Sequence, residues 1–253
     1  MEIADYTILG IDNEVEIRKI ERIIKEGFNK YNLDDEMKIF IEYGSEDTLV
    51  AYSPVGDELY LGDRPFEVAE MTNRETGDTA FKVTVNTIYR DETLYHLSVA
   101  LSHLLVGQNS WIIEDHMQED DTLMGVIFAM ETYFIAELVK ACGDITTMQL
   151  MKEYIEEVTK DFSSFIEGDS MCNVCKIRRI MELIGYNYSF NKDKNLQEVL
   201  NSSHITVKAF SNLQEKIHTL LDMIFDEEVE YEELDEKLVL DTKEDITAVF
   251  RIV

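Results

Sequence analysis

The chain has 253 residues, 45% of them hydrophobic and 10% aromatic, which suits a folded protein with a sizeable core and argues against intrinsic disorder. Asp and Glu number 52 against 23 Lys and Arg, for a net charge of −29. So negative a surface repels phosphate backbones, which makes nucleic acid and anionic membranes unexpected partners and a basic protein or peptide a better one.

No apolar run approaches bilayer-spanning length, and the opening MEIADYTILG lacks the basic flank of a secretory signal, so a cytoplasmic location is expected. Hydrophobic spacing from Glu14 to Tyr31 predicts a helix carrying Ile20, Ile23, Ile24 and Phe28. MKIFIEYG (37–44), TLVAYSP (48–54) and ELYLG (58–62) read as strands, and NRETGD (73–78) as a polar turn. FKVTVN (81–86) is a further strand, followed by a helix from residue 91 or 92 to Gly107, where glycine offers a C-cap.

Residues 108–121 form an acidic connection, and an apolar helix over 123–141 is closed by Gly143. Helices are then predicted at 146–166, 173–186, 195–201 and 205–225, ahead of an acidic stretch to Asp245 and the final AVFRIV. The fold class expected is α+β. A domain over 1–144, made of a helix, a small mixed sheet, a motif helix and a second helix, precedes a mainly helical domain over 145–253 with an acidic tail.

Residues 99–107, VALSHLLVG, would read H-E-L-S-H-L-L-V-G with His and Glu at their first two places. The order of elements, together with FKVTVNTIYRDETLYHLSVALSHLLVG over 81–107, resembles the zincin metallopeptidases of the glutamate type. In that superfamily an edge strand precedes the helix carrying H-E-x-x-H. Two histidines four residues apart share a helix face and grip one zinc, while the glutamate deprotonates the metal-bound water. The resemblance places His103 at the second histidine, Val99 at the first and Ala100 at the catalytic glutamate. It places Glu131 at the third ligand, with Glu137 as the alternative. Valine and alanine neither bind zinc nor take a proton, so the resemblance implies a protein that does not hydrolyse peptides and has a binding or regulatory role. No cofactor is expected on this reading, and zinc is the metal to consider against it.

Other readings of the same residues stand beside this one. A lone histidine on an apolar helix is ordinarily a hydrogen-bonded interior residue. A metal-dependent hydrolase would need a relocated site built from His103, His116 and Glu131. An acidic helical module for protein interaction would need no zincin likeness. Cys172 and Cys175 form a C-x-x-C pair beside Lys176, Arg178 and Arg179, which would favour thiolates, although a zinc ribbon needs a second pair. Ser98 and Ser102 lie outside any G-x-S-x-G elbow, and the glycines form no phosphate-binding loop.

Overall fold

The computed structural model describes residues 5–34, 36–52, 58–73, 76–110, 121–167, 173–190, 207–225, 241–242 and 244–246. The fold is α+β. By compactness the chain divides into Met1–Gln108 with Glu137–Met151, and Asn109–Ala136 with Lys152–Val253.

The first unit is built on a four-stranded sheet. Strand β1 (Asp5–Leu9) leads into α1 (Glu14–Arg22), which returns to β2 (Lys38–Gly44). The hairpin strands β3 (Leu49–Tyr52) and β4 (Glu58–Tyr60) pair with each other, and β5 (Phe66–Thr72) and β6 (Thr79–Asn86) complete the main sheet. Its order is β1-β2-β6-β5, with β1, β2 and β6 parallel and β5 antiparallel to β6 at one edge. Val83 and Val85 are fully buried and Thr84 nearly so, as a central strand covered on both faces requires.

Helix α1 starts where Asn13 accepts a hydrogen bond from the Val15 amide, with Glu14 and Glu16 in the first turn and Lys19 and Arg22 in the last. It continues through a wider turn at Ile23–Gly27 and a tight one at Phe28–Lys30. Ile20, Ile23, Ile24 and Phe28 are all fully buried, each contributing about 1.5–3 kcal/mol of apolar transfer. The helix spacing expected over 14–31 is therefore present, with its second half adapted to packing. A Cβ at Gly27 would stand 3.0 Å from both Leu138 and Ala141, so glycine permits this close approach.

A short 3-10 segment, Thr87–Glu92, enters α2 (Thr93–Asn109). The expected C-cap at Gly107 is corrected: α2 continues to Asn109, and Gly107 is an exposed interior position of the helix. Strands β1 and β5 are additions to the sequence reading. In FEVAEMT the acids Glu67 and Glu70 fall on opposite faces and blur the alternation that marks a half-buried strand.

Helix α3 (Asp121–Cys142) ends at Gly143, whose φ of +64° lets its amide bond back to Val139 and Lys140. Asp144 then caps α4 (Ile145–Glu167) through the Thr147 amide and hydroxyl, and pairs with Lys19. The second unit contains the first part of α3, most of α4, α5 (Asn173–Phe190) and α6 (Val207–Ile224). Within it α3 and α5 meet tightly. The Thr132 hydroxyl donates to the Glu182 carbonyl at 3.1 Å, and a Cβ at Gly185 would fall 2.1 Å from the Ala129 carbonyl oxygen. Tyr133 stacks on Phe225 with centroids 4.9 Å apart. The helix expected at 195–201 and the final AVFRIV lie outside the described residues, as does most of the acidic tail. Among the described residues no helix is long and apolar enough to cross a membrane.

Candidate functional site

The residues singled out from VALSHLLVG sit on α2, and the helix sorts them by face. Leu97, Ala100, Leu101 and Leu105 are fully buried, and Leu94 and Leu104 nearly so. Ser98 and Ser102 are buried too, and their hydroxyls donate to the carbonyls of Leu94 (2.9 Å) and Val99 (2.7 Å) of the same helix. Neither serine is placed as a nucleophile. His96, Val99, His103 and Val106 recur at three- and four-residue spacing and form the less buried stripe, with His103 exposed. The interior histidine anticipated from the sequence is thus a surface one.

Beside that stripe lies the start of the edge strand. The rings of Phe66 and His103 meet edge to face, with centroids 5.5 Å apart and planes at 65°. Phe66 pairs with Val85, so β5 reaches α2 in register with the buried end of β6.

One residue fixes this arrangement. Asn86, fully buried at the end of β6, accepts from the Ile88 amide at 3.1 Å and caps the 3-10 segment. Its side-chain amide donates to the carbonyls of Gly62 (3.0 Å) and Arg64 (2.9 Å), and its backbone amide to Pro65 at 2.9 Å. The Tyr89 hydroxyl donates to the Asp63 carbonyl at 2.6 Å. The segment that delivers β5 is thereby tied to the segment that delivers α2, and the asparagine ending FKVTVN is the tie.

His96 lies seven residues before His103 on α2, against the rings of Tyr89 (5.2 Å) and Tyr95 (5.9 Å). Its Nδ1 is buried without a hydrogen-bond partner among the described residues, and its Nε2 lies 3.5 Å from Glu92. Burial holds the imidazole pKa below its usual value, against the opposing pull of Glu92.

The donor set at the motif positions does not fit a zinc ion, because Val99 is an alkyl group on the stripe and Ala100 a buried methyl. His103 belongs to the first unit and Glu131 to the second, where its charge acts on Arg178. His116, the third member of the relocated-site reading, lies outside the described residues, as does Cys172. Glu137 accepts from the Tyr31 hydroxyl at 3.1 Å and pairs with Lys140 (2.6 Å) and Lys30 (3.6 Å), which accounts for its carboxylate structurally. Cys175 is exposed on α5. Among the described residues no three His, Cys, Asp or Glu side chains converge as a metal site would require.

Arg178 and Arg179 form a half-exposed ion cluster with buried Glu182 in the second unit. The Glu182 side chain is 5% exposed and binds Arg178 at 2.7 Å and Arg179 at 3.3 Å. Arg179 also donates to the Tyr154 hydroxyl at 3.1 Å, and Arg178 lies over the Phe128 ring. These guanidinium groups are engaged with their own fold. No family model matches the chain, and neither a curated protein nor a solved structure matches it.

Proposed function

We propose that this is a catalytically inactive, zincin-like protein that binds an extended polypeptide along β5 and leaves it uncut. The observation carrying this reading is the contact between Phe66 on β5, the edge strand of the main sheet among the described residues, and His103 on the helix that follows β6. An edge strand offers a row of backbone donors and acceptors to an added strand, and neighbouring side chains give selectivity. Here the neighbours are the Phe66 ring, the His103 imidazole and the half-buried Val99. The residues that would turn such a groove into a peptidase are replaced by groups that neither coordinate zinc nor accept a proton.

Hydrogen exchange of the full chain tests the binding. A permanently unfolded polypeptide, such as reduced carboxymethylated α-lactalbumin, is expected to slow amide exchange within Phe66–Thr72. Unchanged exchange there at saturating polypeptide would overturn the reading.

A further inference from the structure

The β3–β4 hairpin carries a second surface. Tyr52 and Glu58 are directly paired across the two strands, and Glu58 and Tyr60 are two apart on one strand, so all three share a face. Tyr52 is 67% exposed and Tyr60 47%. The Tyr60 hydroxyl donates to the Glu58 carboxylate, and the charge of Asp47 acts on the same ring. Glu46 adjoins the hairpin through its carbonyl, which accepts from the Gly62 amide at 3.0 Å.

The cations that reach the hairpin are turned to its backbone. Arg64 donates to the carbonyls of Tyr60 and Leu61 and is neutralised by Glu67, while Lys82 donates to the Leu49 carbonyl and is neutralised by Glu42. Among the described residues no cation pairs with Glu46, Asp47 or Glu58. Two exposed tyrosine faces around an uncompensated carboxylate suit one kind of group. A guanidinium stacks on aromatic rings and bonds a carboxylate through its planar fork, which an ammonium does less well.

We propose that this hairpin face is a docking site for an arginine carried by an extended segment of a protein partner. The test uses the full chain and a fluorescein-labelled peptide of alternating glycine and arginine, read by fluorescence anisotropy, with the citrulline peptide as its uncharged counterpart. The arginine peptide is expected to bind saturably and the citrulline peptide to bind at least about tenfold more weakly. Tyr52→Ala, Tyr60→Ala and Glu58→Gln should each weaken binding about three- to fivefold, as exposed cation–π and ion-pair contacts do. Tyr52→Phe keeps the ring and should retain affinity within about twofold. Glu156→Gln on α4 removes the same charge elsewhere and should also stay within about twofold. Absence of saturable binding, or equal weakening by Glu156→Gln and the hairpin variants, would overturn the proposal.

Discussion

The imidazole of His103 stands edge-on to the ring of Phe66, 5.5 Å between centroids, so a helix and the outermost strand of the sheet share one aromatic contact. The contact depends on a strand-to-helix connection that Asn86 organises with both ends of its side-chain amide. Stability at Asn86 and the placement of β5 beside α2 are therefore linked.

Asn86→Ala removes two donated hydrogen bonds and one accepted bond from a fully buried site. Urea unfolding is expected to show a loss of about 2–4 kcal/mol, because the groups left behind are unsatisfied. A change below about 0.5 kcal/mol would show that the connection is held by other contacts.

Ala100→Glu restores the acidic residue that the resemblance expects and should be poorly tolerated. Ala100 is fully buried between Leu97 and Leu104 along α2, so an introduced carboxylate lacks solvent. A loss of at least about 2 kcal/mol in unfolding free energy is expected. Unaltered stability would mean that a side chain at position 100 reaches solvent.

Two glycine substitutions should act in opposite directions. Gly185→Ala drives a methyl group into the Ala129 carbonyl and the Thr132 hydroxyl at 2.1 and 2.2 Å, and should destabilise the protein by about 1–3 kcal/mol or more. Gly107→Ala meets nothing within 4 Å at an exposed position of α2, and should stabilise it by about 0.5–1 kcal/mol. Thermal unfolding of the two variants separates these outcomes.

His96 gives stability a pH dependence of defined sign. Burial lowers its pKa in the folded state, so the unfolded chain binds the proton more readily. Its contribution is fully present above the ordinary histidine pKa near 6.5 and is lost as the pH falls from there toward the folded value. Chemical denaturation between pH 7.5 and 5.5 should show a steeper fall for the native chain than for His96→Phe. Parallel curves would assign the effect to other groups.

Much of this architecture was legible in the residues. The run of isoleucines before Phe28, the Val83 and Val85 alternation and the glycine at 143 each state a local preference that the fold keeps. The edge strand was not legible, because acids on both faces of 66–72 erase the two-residue period. The exposure of His103 was not legible either. A mostly apolar helix conceals which narrow stripe faces outward, and that is decided by where β5 arrives. The role of Asn86 had a signal, an asparagine closing a buried strand directly before a helical turn, but its partners at Gly62 and Arg64 are known only once the chain has folded.

Absence of peptidase activity is tested by supplying the purified full chain with zinc and an unfolded polypeptide and following hydrolysis by mass spectrometry. The polypeptide is expected to remain intact over hours, with the native chain and His103→Ala indistinguishable. Fragments that accumulate with the native chain and vanish with His103→Ala would contradict the account.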